Sequence, residues 1–332
     1  MKNKLLKSLV LVISLVMIIT ILVSCGEKKN TEESNVTVKI GAMTGPTAMG
    51  ILQLKDGSLK DKARNTYEYV IETEANTIAA KLISGSLDIC IVPVNLASKL
   101  YNNPAVDVKV IDISVGAVLS VLSGDTSITD FSKLAGKTVL VPNQGTMPDA
   151  VVLYLKGKYN IDFTITYGTP ASIQQELIAD PSKIGVLPQP AATATTIASA
   201  ASTSEVKVKQ LFALKTSYDS ISTDGSELIT GVTIVRSEFL EKHKSQVDKF
   251  ILDHKDSALL ANSDVDSTAK LVVQNGILPK EPVAIKAIPN CSICCITGNE
   301  MKTKISGLIS ALQSVIPELT GNVPNDNFYY LG

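Results

Sequence analysis

The segment Ile78–Pro93 has the sequence I-A-A-K-L-I-S-G-S-L-D-I-C-I-V-P, and Ile173–Pro188 has the sequence I-Q-Q-E-L-I-A-D-P-S-K-I-G-V-L-P. Both start at isoleucine, carry Leu-Ile in the middle of a helical pattern, and pass through a turn into a short apolar run that ends on proline. Apolar residues on one helical face, followed by a continuous apolar run, predict a helix and then a buried strand. Each segment is therefore expected to be one helix–strand unit of a sheet.

A second pair of matching segments lies upstream of the first. Val38–Gly50 runs from an alternating strand into T-G-P-T-A-M-G, and Thr138–Asp149 runs from T-V-L-V into P-N-Q-G-T-M-P-D. Strands that alternate with helices predict parallel β-α-β units. The chain is therefore predicted to be an α/β protein with two related lobes, each a mixed sheet flanked by helices, with a ligand cleft between them. Chance similarity of two α/β stretches is the alternative.

The later part of the chain extends this plan. Ser237–Ala261 is predicted to be one long amphipathic helix, Pro279–Ile288 to be extended, and Gly298–Val315 to be helical. These segments have no counterpart in the second copy of the repeat. We therefore expect a discontinuous lobe 1 made of residues 36–115 and 222–332, and a lobe 2 made of residues 116–221.

The amino-terminal segment has the pattern of a targeting sequence. Basic residues at Lys2, Lys4 and Lys7 precede the apolar run Leu9–Val23, which is short for a membrane span and suits a secretory signal. The run ends in L-V-S-C, with Cys25 last, which resembles a bacterial lipobox. Residues 1–24 are predicted to be a lipoprotein signal peptide and residues 25–35 a flexible tether, with Cys25 lipidated. An uncleaved anchor is the alternative.

Four loops follow the predicted strands, two in each lobe. In open α/β sheets, ligands bind beyond the carboxyl ends of the strands, where glycine loops and helix N-termini present N–H groups that suit an anion. Met49 and Met147 would add apolar walls, although ordinary βα turns are the alternative for each loop. The predicted ligand-binding residues are Thr44, Gly45, Pro46, Thr47, Met49, Val94, Asn95, Gly145, Thr146, Met147, Pro188 and Gln189.

Several of these segments resemble one family. The lipobox, the G-P-T-A-M-G loop, S-G-S-L-D-I-C-I-V-P-V-N-L-A and G-V-L-P-Q-P-A are similar to segments of bacterial ABC-transporter substrate-binding lipoproteins of the nitrate/sulfonate/taurine and thiamine-precursor-like class. The resemblance implies a type II periplasmic binding protein fold that closes on one small solute and delivers it to an ABC permease. It also implies a monomer outside the cytoplasm, anchored to the membrane by lipid. The absence of tryptophan argues against a large stacked ring as ligand.

Composition excludes other classes of function. The 332 residues contain 31 Lys+Arg and 32 Asp+Glu, so a nucleic-acid partner is not expected. The chain has 2 histidines, which is few for a metal site or a catalytic triad, and we expect no enzyme activity, cofactor or metal. An enzyme on the same fold, of a dehydratase or pyrimidine-precursor type, and a ligand sensor for a membrane partner remain alternatives.

The cysteines and histidines have specific sequence contexts. Cys291, Cys294 and Cys295 form C-S-I-C-C, whose spacing suits a metal or redox site. No histidine is nearby in sequence, so core packing is favoured, with Cys294 and Cys295 facing opposite ways on a strand; a disulfide is the other alternative. Cys90 lies in an apolar strand. His243 and His254 are predicted on the solvated face of the long helix.

Overall fold

The structure, a computed structural model, describes residues 36–332. The predicted signal peptide, tether and Cys25 lie outside the described residues. The described strands are β1 (Thr37–Met43), β2 (Thr66–Glu72), β3 (Ile89–Pro93), β4 (Val108–Val115), β5 (Leu119–Ser123), β6 (Thr138–Pro142), β7 (Thr164–Gly168), β8 (Ile184–Pro188), β9 (Lys209–Ala213), β10 (Gly231–Arg236) and β11 (Ile293–Ile296).

Helices alternate with these strands along most of the chain. The described α-helices are α1 (Pro46–Met49), α2 (Leu52–Lys55), α3 (Ala75–Ile83), α4 (Val94–Tyr101), α5 (Met147–Lys158), α6 (Pro170–Ala179), α7 (Ala191–Ala201), α8 (Leu214–Asp219), α9 (Ser237–Lys242), α10 (Lys244–Ser263), α11 (Val265–Gln274), α12 (Glu281–Ala287), α13 (Gly298–Gln313) and α14 (Pro317–Thr320). Between residues 36 and 332, no helix is both long and apolar enough to cross a membrane.

The strands form two mixed sheets, one in each lobe. The first lobe has the strand order β11-β4-β10-β3-β1-β2, and the second lobe has the order β7-β6-β8-β5-β9. In the first sheet β1, β2 and β3 are parallel and β10 is antiparallel to β3; in the second, β6, β7 and β8 are parallel and β5 is antiparallel to β8. The predicted α/β fold with two mixed sheets flanked by helices is confirmed.

The two segments that carry the repeat occupy equivalent places. In the first lobe, Ile78 and Leu82 of α3 are fully buried against the strand that follows; in the second lobe, Ile173 and Leu177 of α6 are also fully buried. A side chain at Gly185 of β8 would stand 2.9 Å from a methyl of Leu177, so the glycine lets α6 pack close to its sheet. The same apolar positions therefore form the helix–sheet contact in both lobes.

Two local predictions were wrong. Residues 281–287, expected to be extended, form helix α12, because Pro282 suits the first turn and Ala284 and Ala287 are buried along one face. The expected long helix is divided into α9 and α10, because His243 leaves the helical region at φ −134°, ψ 44°. Leu240 and Val247 stand seven residues apart, a helical spacing, on either side of His243, so the sequence pattern does not reveal the break.

Candidate ligand-binding site

The carboxyl ends of the parallel strands face each other across the two lobes. In the first sheet Pro93 pairs with Gly231, and Gly231 pairs with Val115, so β4 ends at the same edge as β3. The chain then crosses in the short segment 116–118 to Leu119, which pairs with Pro188 at the end of β8. Because so few residues separate the two edges, we expect the loops that follow β1, β3, β6 and β8 to face one interlobe cleft.

The crossing segments are held by backbone hydrogen bonds. The N–H of Thr230 donates to the carbonyls of Val115 at 3.0 Å and Gly116 at 3.1 Å, which joins the two crossings to each other. The N–H of Gly116 donates to the carbonyl of Ser292, and the Ser292 hydroxyl donates to the carbonyl of Ala117 at 2.6 Å. The N–H of Gln189 donates to the carbonyl of Val118 at 2.9 Å, which ties the second lobe to the same segment.

Helices from the two lobes also contact each other. Helix α12 contacts α7, and α13 contacts α5, so each lobe contributes a helix to both contacts. The contacting helix α7 is rich in alanine, serine and threonine, and these small side chains permit a close approach. The structure therefore holds the two lobes together around the cleft.

The first loop of the cleft follows β1 and contains four predicted residues. The N–H of Thr44 donates to the carbonyl of Glu72 at 2.8 Å, and Gly45 adopts φ +99°, a conformation that a side chain would strain. Pro46 begins α1, and the Thr47 hydroxyl donates to the carbonyl of Met43. Thr47 is therefore a local cap whose hydroxyl proton is directed back at the chain.

The predicted residues on either side of this loop differ in exposure. Met49 and Val94 are fully buried in the core, so their side chains do not face the cleft. Asn95, in the first turn of α4, is only partly buried, but its Oδ1 is shielded from solvent and has no hydrogen-bond partner among the described residues. A buried amide oxygen without a donor is costly, by about 1–3 kcal/mol. Asn95 is therefore the predicted residue whose unused acceptor most clearly suits a ligand.

The corresponding loop of the second lobe is held by hydrogen bonds between its own residues. Gly145 is exposed with φ +75°, and its N–H donates to Oδ2 of Asp149 at 2.8 Å. The Thr146 hydroxyl is directed at the carbonyl of Asn143, 2.6 Å away, and Met147, which packs partly against the core, begins α5. The backbone of this loop is thus presented to the cleft more than its side chains are.

The last loop contains Pro188 and Gln189 and is largely internal. The Gln189 side chain is 3% exposed. Its Oε1 accepts from the hydroxyl of Thr193 at 2.7 Å and from the Thr193 N–H at 3.3 Å, and its Nε2 donates to Oε1 of Gln210. Gln189 therefore caps the start of α7 and has no free donor or acceptor of obvious use to a ligand.

Sequence reasoning did not single out Asp149 and Tyr167. Asp149 is 1% exposed and accepts from the Tyr167 hydroxyl at 2.8 Å as well as from Gly145, so a carboxylate stands at the start of α5. Burial and this neighbour raise the pKa of Tyr167 to about 12, so the phenol remains a donor at neutral pH. The sequence signal for Asp149 is an acid in the first turn of a predicted helix, although the residue also belongs to the loop that precedes this helix.

Comparison with solved structures decides the fold. Neither a protein-family model nor a curated protein matches this chain. It is similar to an ABC transporter protein of Parabacteroides distasonis (TM-score 0.71, 18% identity, 89% of this chain and 99% of that one). It is also similar to the periplasmic aliphatic sulphonate-binding protein SsuA of Escherichia coli (0.67, 15%, 87% and 95%) and the nitrate-binding protein NrtA of Synechocystis (0.53, 10%, 85% and 80%). The chain has the periplasmic binding protein fold.

Within this periplasmic binding protein fold, helix starts at the cleft differ in how they are capped. The Thr169 side chain accepts from the N–H of Ser172 at the start of α6, and Gln189 serves α7. For α4 and α5, the residues described show no side-chain cap. The N–H of Val94 at the start of α4 donates to the carbonyl of Thr230, and Asp149 places a carboxylate in the first turn of α5, so the later N–H groups of each first turn are the ones left to an outside acceptor.

The cysteines of the fold are free and occupy different environments. Cys294 and Cys295 lie on strand β11, with the Cys294 sulfur 3.4 Å from the carbonyl of Ile113 and the Cys295 sulfur 3.8 Å from the carbonyl of Ile251. These contacts are with β4 and α10, so the two thiols are directed to different neighbours. Cys90 and Cys291 are fully buried.

Cys90 and Cys291 should therefore resist alkylation. Burial raises the pKa of the Cys291 thiol to about 12, so at pH 8 only about 1 in 10⁴ molecules carries the reactive thiolate at equilibrium. We expect iodoacetamide at pH 8 to leave both thiols unmodified in the folded protein and to modify both in urea, as measured by peptide mass spectrometry. Rapid labelling of either thiol in the folded protein would contradict the buried environment.

The expectation for His254 was wrong. Its side chain is fully buried, because α10 turns this face toward the sheet, and its Nδ1 lies 3.0 Å from Oδ2 of Asp112 on β4. His243 is half-buried at the junction of α9 and α10, where its ring packs 4.9 Å from that of Phe239. A histidine flanked by charged residues in sequence can still face inward, because helical neighbours point in different directions.

Proposed function

We propose that this protein is a lipid-anchored solute-binding protein of an ABC importer that captures one small solute between its lobes and performs no chemistry on it. The observation that carries the proposal is the short crossing between the carboxyl edges of the two sheets, where α4 and α5 start without a side-chain cap. The likeness to solute-binding proteins with the same fold supports it, as does the lipobox in the sequence. The lobes are proposed to comprise residues 36–115 with 222–332, and residues 116–221.

The cleft favours an anionic or zwitterionic solute, of the kind represented by sulfonates, nitrate or taurine. The open starts of α4 and α5 offer backbone N–H groups and partial positive charge to an oxyanion. The same region contains acceptors, namely Oδ1 of Asn95 and the carboxylate of Asp149. A molecule with an acidic group at one end and an amine at the other satisfies both, so a zwitterion is the solute that the geometry supports best.

The remaining parts of the proposal concern location and partners. A lipid on Cys25 would hold the monomeric protein outside the cytoplasmic membrane, near the permease that receives the solute. The permease would recognise the closed, solute-bound form, because both lobes contribute to the surface that forms on closure. Cys25 lipidation is tested by metabolic labelling with a fatty-acid analogue, which should be lost in Cys25→Ala.

A thermal-shift screen of the purified full-length chain tests the function. The panel contains taurine, other sulfonates, nitrate, bicarbonate, amino acids and thiamine precursors. A ligand at a hundred times its Kd stabilises the folded state by about 2.7 kcal/mol, so a true solute raises the unfolding temperature in a saturable way. No shift with any anion or zwitterion would contradict the proposal, and turnover of a bound compound would replace it with an enzyme.

Asn95→Ala should weaken solute binding about tenfold, because it removes a buried acceptor worth about 1.4 kcal/mol to the complex. Its melting temperature without solute should stay unchanged or rise, since Oδ1 of Asn95 has no partner within residues 36–332. The measurement is isothermal titration calorimetry with the solute found in the screen.

Asn102→Ala is the matched control for this variant, because Asn102 stands at the opposite end of α4 and donates to the carbonyls of Ser98 and Asn322. It should leave the affinity for solute unchanged. Equal affinities for wild type and Asn95→Ala would show that the start of α4 does not contact the solute.

A further inference from the structure

A polar cluster lies in the core of the first lobe. Asp112 on β4, Thr233 on β10 and His254 on α10 are all fully buried. The Thr233 hydroxyl donates to Oδ1 of Asp112 at 2.7 Å, and Nδ1 of His254 lies 3.0 Å from Oδ2 of the same carboxylate. The ring of Phe250 stacks on the imidazole at 5.5 Å. These contacts fix both the carboxylate and the ring in place.

One nitrogen of the imidazole is left without a partner. Nε2 of His254 is buried and has no hydrogen-bond partner among the described residues. It faces Gly50, where a Cβ would come within 3.4 Å of Nε2, so the glycine leaves space at this side of the ring. An unpartnered buried nitrogen shows that the protein does not use all of the hydrogen-bonding capacity of this imidazole.

A second unpartnered atom lies on strand β4. Ser114 is 1% exposed, and its hydroxyl oxygen has no partner within the described part of the chain. The register of β4 shifts at Ser114, and its hydroxyl oxygen lies near Gly231, where a Cβ would stand 3.1 Å from it. Hydrogen-bonding capacity is therefore left unused at two buried atoms in the core of the first lobe.

A sulfur completes the cluster. One ligand atom each from Asp112, His254 and Cys295 lies within 4.8 Å of the other two. Ligands of a four-coordinate zinc ion stand at 2.0–2.3 Å from the metal. The three ligand atoms would therefore have to approach one another by about 1 Å for all of them to reach that distance from one ion. Cys295 is only partly buried, which gives the site an approach from solvent.

Charge balance also favours a divalent ion. A carboxylate, a thiolate and a neutral imidazole carry two negative charges, which one divalent cation neutralises in a setting where unpaired charge is strongly disfavoured. Mixed oxygen, nitrogen and sulfur donors suit zinc and its neighbours better than magnesium or calcium. We propose that Asp112, His254 and Cys295 form a buried binding site for one zinc-class divalent ion, separate from the solute cleft.

This site was not expected from the sequence. No histidine lies near the C-S-I-C-C segment in the chain, and the histidine that completes the cluster comes from α10 only in the folded protein. The inference does not depend on the proposed solute-binding function, since none of its three residues was predicted to contact the solute.

Cobalt binding by the untagged full-length chain tests the proposal. After treatment with a chelator and desalting, the protein should bind one equivalent of Co²⁺, with a thiolate-to-cobalt charge-transfer band in the near ultraviolet. Cys295→Ser and His254→Gln should lose the band and bind Co²⁺ at least tenfold more weakly. Cys294→Ser is the matched control, because its sulfur contacts the backbone carbonyl of Ile113 and does not belong to the three-residue set, and it should keep both the band and the affinity.

A measurement on the wild-type chain tests the proposal even if the variants fail to fold. Zn²⁺ should slow alkylation of Cys295 at least tenfold and leave the rate at Cys294 unchanged, as followed by peptide mass spectrometry. Absence of cobalt binding by the wild type, a band that persists in Cys295→Ser, or equal protection of both thiols by Zn²⁺ would each overturn the proposal.

Discussion

Replacing Asp253 by alanine should lower the free energy of unfolding by about 3 kcal/mol. Asp253 is 2% exposed, and its carboxylate accepts from the Arg64 guanidinium at 2.6 Å, the Arg64 N–H at 2.8 Å and the Tyr67 hydroxyl at 2.6 Å. These contacts join α10 to the start of β2. The alanine variant leaves three donors without their acceptor, and burial of Tyr67 keeps water from replacing it fully.

Asp256→Ala is the matched control for Asp253→Ala. Asp256 pairs with the same guanidinium at 2.9 Å but its side chain is 46% exposed, so its loss should cost less than about 1 kcal/mol. Urea unfolding followed by circular dichroism measures both variants. Similar losses for the two aspartates would show that the Arg64 charge, rather than the buried hydrogen bonds of Asp253, stabilises this junction.

Leu82→Ala and Leu177→Ala should each destabilise the protein by about 3 kcal/mol. The two leucines occupy corresponding positions of the repeat, on α3 and α6, and both are fully buried against their sheets. Each truncation removes apolar contacts and leaves a cavity that rigid neighbours fill only in part. Because the environments correspond, the two losses should agree within about 1 kcal/mol.

Leu259→Ala is the control for these truncations. Leu259 is 60% exposed on α10, so the same chemical change should alter stability by about 0.5 kcal/mol or less. Chemical denaturation of all three variants under one set of conditions makes the comparison. If one of the repeat leucines behaved like Leu259, the correspondence between the lobes would not extend to their packing.

The helices and strands that could be predicted well from the sequence are those whose apolar residues recur at a regular local spacing. The helix predicted in the first half of Ile78–Pro93 is observed as Ala75–Ile83, because Ile78 and Leu82 mark its buried face and a buried strand follows it. The fold class was predictable for the same reason, since two copies of helix–strand order leave few arrangements of an α/β chain. Helix α12 was missed because Pro279, Pro282 and Pro289 lie within or beside this short segment and favour an extended chain locally, whereas Pro282 is tolerated in the first helical turn and Ala284 and Ala287 become buried only in the fold.

Predictions about individual site residues depended on information that is not local. The loops could be located from strand ends, but the orientation of Thr47, Thr146 and Gln189 toward their own backbone or neighbours could not, since those hydrogen bonds form only in the folded loops. The cluster around His254 shows the same limit more strongly. Asp112 and His254 are far apart in sequence, and only the packing of α10 on β4 places them in contact.

The placement of β10 determines the order in which a growing chain can finish its two sheets. All five strands of the second sheet lie between residues 119 and 213, whereas β10, at residues 231–236, sits between β3 and β4 of the first sheet. During synthesis, β1 to β4 emerge early, but β10, which lies between β3 and β4, is still missing. The second sheet can therefore form all of its strand pairs first, and the first sheet is completed only when residues 231–236 and 293–296 follow.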